Sequence, residues 1–354
     1  MRRRVLLAIG LYFLSPLVAE YLLGDIAITA IPLFAAIPLL LGMSLLYGTG
    51  ALLIREVVRR ASYGWPSIIA FALAYGIIEE GFTTYTLFNP NWDSAFGFHI
   101  LAYGYIPALG LSLNWIIFVL GLHTFWSIST PIALMETLAG EQQRTKPWLS
   151  KLALSLLAAL FVLAIVGINI GNVVNHRFIA TIPQFIGTGI ATIVVVGIGI
   201  LLGQRKPTAR TQAGRAPSPW LVMLVALIAA SVFLLIYAVD PSGISPWLAG
   251  LNLPAWIAIV LYLLLCAGMA VLVSSWSQRR GWSDAHRFAL AAGALLAYAW
   301  HSFPWPVLMP GVSLMLDLLS NAILAVGAII LLVFAARQLQ KEGQQSFATL
   351  AHNS

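Results

Sequence analysis

Apolar runs of about 20 residues, separated by short polar segments, recur ten times along this chain. They lie at roughly 5–23, 30–54, 66–87, 112–137, 150–171, 183–203, 219–239, 254–276, 287–303 and 312–336. A helix rises 1.5 Å per residue, so each run is long enough to cross a hydrocarbon core of about 30 Å. The pattern therefore predicts an all-α, polytopic integral membrane protein of about ten transmembrane helices. Residues 1–337 would form one helical domain with a linker at about 204–218, and 338–354 a polar tail that looks frayed. The start, "MRRRVLLAIGLYFLSPLVAE", has the outline of a signal peptide. Glu20 falls where cleavage would be expected, and the span count needs this run, so it reads as the first membrane helix.

Charge then sets the orientation. With the N-terminus inside, every Lys and Arg except Arg177 falls on or beside an inner segment. That is the positive-inside pattern, and it places both termini in the cytoplasm of a cell (plasma or inner) membrane. The composition agrees, at 60% hydrophobic and 9% charged residues against about a quarter charged in soluble domains. The net charge of +7 is thus a topology signal and a contact for anionic lipid, not a nucleic-acid footprint. The single cysteine, Cys266, excludes an internal disulfide and offers no metal–thiolate motif.

The segments between spans differ in character. "GQRKPTARTQAGRAPSP" is rich in Arg, Pro and Gly and reads as a mobile linker dividing the spans six and four. The aromatic stretch Asn91–Ser112 is too apolar for a solvated loop and is expected to lie along the interface or fold back as a lid. A five-plus-five inverted repeat would pair "HTF" with "HSF", but no acid in span eight matches those of span three, so the repeat is not supported.

The informative residues are the polar ones inside the spans, where an ionised side chain costs about 2.5–3.5 kcal/mol on insertion scales. Glu79 and Glu80 in "AYGIIEEGFTTYT" lie about 20 Å from the inner face, and His123 about 15 Å below the outer face. His301 and the Ser313–Asp317–Asn321 stripe fall in the same outer-leaflet slab. His123 shares a helical stripe with Ser127 and Thr130, Tyr298 precedes His301 by one turn, and Thr83 and Thr84 flank Glu80. These groups are expected to converge on one buried site. Two carboxylates beside an imidazole are suited to activating water and stabilising an oxyanion.

Blander roles are expected elsewhere: a local cap or pair for Glu20, solvation for Glu136, ion pairing with Arg55 and Arg59 for Glu56, and solvated positions for His99, His176 and His286. Polar side chains also hold membrane helices together, and that alternative stays open for the whole set. No HExxH, phosphate-loop or GxSxG motif is present, and the Ser127–His123 spacing is poor for a triad. No cofactor is predicted; a metal at the Glu/His cluster is left open.

At "EEGFTT" and "FVLGLH" the sequence resembles the CAAX prenyl endopeptidase and bacteriocin-processing (CPBP) family of intramembrane glutamic proteases, whose motifs are EExxxR, FxxxH and a later HxxxN. The likeness covers about fifty residues, Ala74 to Thr124; Thr84 stands where the family has arginine, and Phe118 and His123 are one residue too far apart. The resemblance implies Glu79 as the water-activating base, Glu80 as its partner and His123 as the oxyanion- or water-orienting group. His301 or Asn321 would fill the place of the missing third motif. The function expected is hydrolysis of a peptide or lipid-linked group entering from the outer leaflet. The alternatives are a proton- or cation-coupled transporter and a non-catalytic membrane scaffold.

Overall fold

The computed structural model describes residues 2–92, 97–205 and 214–352, and they are almost wholly helical. Helix α1 (Arg2–Pro16) runs on as a π turn, Leu17–Tyr21. Helices α2 (Leu33–Met43) and α3 (Thr49–Arg60) join through a second π turn, Ser44–Gly48, into one rod. Helix α4 (Trp65–Ile78) ends in a third, Glu79–Thr83. A fourth, Leu122–Ser129, joins α5 (Leu113–Gly121) to α6 (Thr130–Ala139). The short α7 (Glu141–Arg144) follows, then the long helices α8 (Lys151–His176), α9 (Ile182–Gln204), α10 (Pro219–Tyr237), α11 (Ala255–Ser277), α12 (Asp284–His301) and α13 (Leu314–His352).

Each of the ten predicted spans is thus a helical rod, but among the described residues eight helices are long and apolar enough to cross a membrane. The two that are not, Trp65–Thr83 and Asp284–His301, carry Glu79 and Glu80 in one and Asp284, His286, Arg287 and His301 in the other. Both pack largely inside the bundle, α4 against α9 and α12 between α10 and α6, so neither needs an apolar surface all round. The periphery is the reverse. In α8 none of the apolar window is buried, and in α9 and α11 only 11% is. Lipid tails are as apolar as these side chains, so close packing and buried polar contacts hold the bundle together.

Glycine permits the tightest crossing. A methyl group on Gly48 would collide with the Tyr12 carbonyl oxygen, so α1 and the second rod touch backbone to backbone. Gly48→Ala must push them apart at a cost of roughly 1–3 kcal/mol. Thermal unfolding in detergent should show a lowered midpoint; an unchanged one would refute the close crossing.

Two large apolar cores fill the interior, beside a small third of Val222, Trp276, Trp282 and Ala289. One centres on Phe118, Trp126, Phe233, Tyr237 and Trp305, the other on Leu11, Tyr47, Ile68, Tyr75 and Ile132. The segment leading into α5 folds back onto the protein. His99 N–H donates to Ser242 O (2.9 Å), Tyr103 OH donates to Leu253 O (2.6 Å), and β1 (Tyr105–Ile106) pairs antiparallel with β2 (Leu111–Ser112). Residues 93–96 of the expected lid, and 206–213 of the expected mobile linker, lie outside the described residues.

Both ends of the chain reach the basic face of the bundle. Arg4 donates to Gln143 (2.7 Å), and Arg144 pairs with Glu342 (2.7 Å). The expectation of a frayed tail is corrected here, since α13 continues to His352 and docks Glu342 on Arg144. Glu136 is likewise not solvated. It is 2% exposed and forms a bidentate pair with Arg59 (2.7 and 2.6 Å). His286 is also buried, accepting from the Ser283 N–H and donating through Nε2 to Pro217 O (2.9 Å). His99 is exposed, as expected, while His176 is half-buried against Trp92. Glu56 does join an ion-pair cluster and is itself fully buried there, with Arg55 and the partly exposed Arg60 as its partners while Arg59 goes to Glu136.

Candidate active site

Glu79, Glu80 and His123 meet between the two cores. Each is at most 5% exposed. The π turn at Glu79–Thr83 widens the end of α4, and the one at Leu122–Ser129 does the same to the α5–α6 rod. Such turns are rare and concentrate at functional sites, because they turn side chains away from the regular helical register. The rods approach closely here, for a Cβ on Gly76 would lie 3.1 Å from the His123 Cβ.

The imidazole of His123 lies between the two carboxylates. Nε2 is 2.6 Å from Glu80 Oε1, and Nδ1 is 3.2 Å from Glu79 Oε2. Ser127 Oγ also approaches Nδ1, at 3.3 Å. The two glutamates are not equivalent. Both Glu80 oxygens are engaged: the Thr84 hydroxyl, shared with Glu79 O, lies 3.1 Å from Oε2, Thr86 donates to the same oxygen, and His123 holds the other. Trp115 Nε1–H in turn donates to Thr86 Oγ1 (3.2 Å). Glu79 Oε2, by contrast, is buried with no completed hydrogen bond, because its approach to Nδ1 is off the donor direction. The Tyr75 and Tyr47 hydroxyls both approach the Glu79 carboxylate, though neither completes an aligned hydrogen bond to Oε2.

Local backbone geometry produces this asymmetry. Tyr85 adopts a left-handed conformation (φ 61°), costly for an aromatic residue and concentrated at functional sites in general. It reverses the chain so that Thr84 and Thr86, on either side of it, both reach Glu80. Two asparagines on the otherwise lipid-facing α8 stabilise the turn. Asn169 donates to Phe82 O (2.6 Å) and Asn172 to Thr83 O (3.2 Å). Leucine at both positions would leave two carbonyls without these donors, at roughly 1–3 kcal/mol each if they stay dry. A fall in the thermal midpoint of the Asn169→Leu/Asn172→Leu variant is expected; wild-type stability would show that the turn holds without them.

The remaining expected site residues divide. Ser127 and Thr84 contact the cluster, whereas the Thr83 hydroxyl points back to Ile78 O (3.4 Å). Tyr298 stacks on Trp126 (4.6 Å). His301 lies against Trp300 and Trp305, and Asn321 joins Asp317 (3.2 Å) to the Ser302 carbonyl (3.0 Å). Among the described residues no hydrogen bond, ion pair or ring contact links His301, Asp317 or Asn321 to the glutamate pair. Sharing a membrane depth did not bring them together, because depth leaves position around the bundle unspecified. Glu20 is corrected in the other direction. It accepts from Tyr47 OH, whose ring stacks on His123 (centroids 5.9 Å, 17° between planes).

The sequence reading also missed Tyr47, Tyr75 and the α8 asparagines. Tyr75 lies one turn before Glu79, and Asn169 and Asn172 are spaced three apart in an apolar helix, so both carried a periodic signal. Tyr47 carried none.

Glu79, Glu80 and His123 bring one ligand atom each within 4.8 Å of one another, a spacing compatible with a metal ion. The carboxylates are divided between the two ring nitrogens, however. An ion on one nitrogen would have to draw the far carboxylate around the ring.

The model of an uncharacterized membrane protein family matches residues 9–348. No curated protein and no solved structure matches the chain.

Proposed function

The chain belongs to this family of membrane proteins, and we propose that its carboxylate–imidazole cluster is the water-activating centre of an intramembrane hydrolase. The observation that carries the reading is the inequality of the two glutamates. A general base needs an oxygen free to take a proton from water, and Glu79 Oε2 is a buried oxygen with no completed hydrogen bond. Glu80, engaged on both oxygens by two hydroxyls and an imidazole, holds His123 in place. His123 Nδ1 and the Tyr75 hydroxyl face the same carboxylate and supply donors for a developing oxyanion.

The resemblance to the intramembrane glutamic proteases gives the same roles to Glu79, Glu80 and His123. Thr84 and Thr86 supply contacts to Glu80 where that family has an arginine. The substrate is a peptide or lipid-linked group reaching the site from the outer leaflet.

The test uses purified protein in bilayers, given a library of transmembrane and lipidated peptides in water enriched in oxygen-18. Hydrolysis places one heavy oxygen in each new carboxylate, read by mass spectrometry. Labelled products from the wild type and none from His123→Ala are expected, with EDTA leaving the rate unchanged. Absence of labelled products from the wild type would refute the reading, and loss of activity with EDTA restored by zinc would replace the glutamate base with a metal. Proton uptake into vesicles without cleavage would move the same residues to a transporter.

A further inference from the structure

We infer that Glu20 and Tyr47 are part of this centre, as a hydrogen-bonded pair that positions the His123 imidazole. The backbone makes the first case. Four π turns occur among the described residues: Leu17–Tyr21, Ser44–Gly48, Glu79–Thr83 and Leu122–Ser129. π-helical residues make up well under 1% of globular proteins, so four in one bundle call for a shared cause. Two of them hold Glu79, Glu80 and His123; the other two hold Glu20 and Tyr47. Every π turn described therefore delivers a side chain to one cluster.

Side-chain contacts make the second case independently. Tyr47 OH donates to Glu20 Oε1, and the Tyr47 ring lies nearly parallel to His123, with centroids 5.9 Å apart. The same ring packs on Tyr75 (6.3 Å), and Tyr75 packs edge-on to His123 (6.1 Å). Tyr47 thus forms one wall of the imidazole's slot and Tyr75 another. Ser15 fixes the backbone of both turns at once, its Oγ lying 3.1 Å from Tyr47 O and 2.5 Å from Ser127 O. A carboxylate is a costly way to join two apolar helices, where a leucine would pack as well. Its use here is explained if the Tyr47 hydroxyl has to be held so that the ring cannot swing from His123.

The pair rests on the hydrolase reading only for its kinetic consequence. Nitrogen-15 NMR of histidine-labelled protein in nanodiscs tests it without any substrate. Glu20→Gln and Tyr47→Leu should each move the His123 ring resonances and leave those of His286, at the basic face, in place. Unmoved His123 resonances in both variants would overturn the inference. If His286 moves too, the variant has lost its fold, and dipolar recoupling between labelled Tyr47 and His123 rings in the wild type decides. Contact between the rings is expected; none would overturn the pair. Where cleavage is measurable, both variants should lower kcat roughly 10- to 100-fold with KM within about twofold, the signature of misplaced rather than missing machinery. Glu20→Asp should regain part of the loss, and a wild-type kcat in Glu20→Gln would end the positioning role.

Discussion

Glu79→Gln should abolish turnover while leaving the fold intact, whereas Glu80→Gln should harm stability more than chemistry. The amide that replaces the Glu79 carboxylate keeps the shape of the side chain but has no basic oxygen. Removing a general base costs typically 10²–10⁴ in rate. The effect on stability should be smaller than at Glu80, because Glu79 Oε2 completes no aligned hydrogen bond and only approaches His123 Nδ1 at 3.2 Å. Glu80 is in the opposite situation. Its carboxylate accepts from Thr84, Thr86 and His123, and a charge-assisted bond of this kind contributes about 1.5–3 kcal/mol. An amide in its place turns one acceptor into a donor facing groups that already donate. Glu80→Gln should therefore lower the thermal midpoint markedly and reduce the rate through a displaced His123. Labelled-oxygen cleavage and thermal unfolding, measured on both variants, read the crossed pattern. Full activity in Glu79→Gln, or equal losses in stability, would remove the division of labour between the glutamates.

What the sequence disclosed about this site follows from how local the causes were. The ten rods were legible because each depends on a continuous apolar run, and the structure places α8 at Lys151–His176 against the expected 150–171. Glu79, Glu80 and His123 were legible because a charge in an apolar run is anomalous wherever its partners lie. The partners themselves were not. Glu136 looks solvated until Arg59, 77 residues earlier, folds over it. Glu20 looks like a local cap because nothing near Tyr47 announces that its hydroxyl will be the acceptor's donor. The π turns, which aim Glu20, Tyr47, Glu79, Glu80 and His123, leave no pattern in residue type, since they replace one backbone register with another. His301 and Asp317 show the converse error. Helical rise gave their depth, but depth is one coordinate of three: His301 packs on Trp305, while Asp317 is tied through Asn321 to the Ser302 carbonyl.

At the opposite end of the bundle from that chemistry, Glu136→Gln should destabilise the protein by about 3–5 kcal/mol, the cost of stranding buried charge. The basic face is held by a charge-balanced core. Arg55 donates to Glu56 (2.9 Å) and lies 3.2 Å from Glu136, while Arg59 grips both oxygens of Glu136. Arg55 also donates to the carbonyls of Arg144 and Lys146 (2.9 and 3.1 Å), with its guanidinium over the Trp148 ring. Glu56 accepts from the backbone N–H groups of Trp148 and Leu149 (2.7 and 3.2 Å). One exposed arginine outside such a network would count for little. Here Arg55, Glu56 and Glu136 are each at most 2% exposed, so water cannot replace a lost partner. Removing the Glu136 charge leaves Arg59 without its carboxylate partner and Arg55 with Glu56 alone. The result expected is a large fall in the detergent unfolding midpoint, with much of it recovered in Arg59→Met/Glu136→Leu, which removes one charge of each sign and fills the space with apolar atoms. A double-mutant cycle of Arg59→Met, Glu136→Leu and their combination gives the coupling between the two sites. An additive cycle, or a Glu136→Gln protein as stable as the wild type, would show that the two residues are adjacent without being energetically joined.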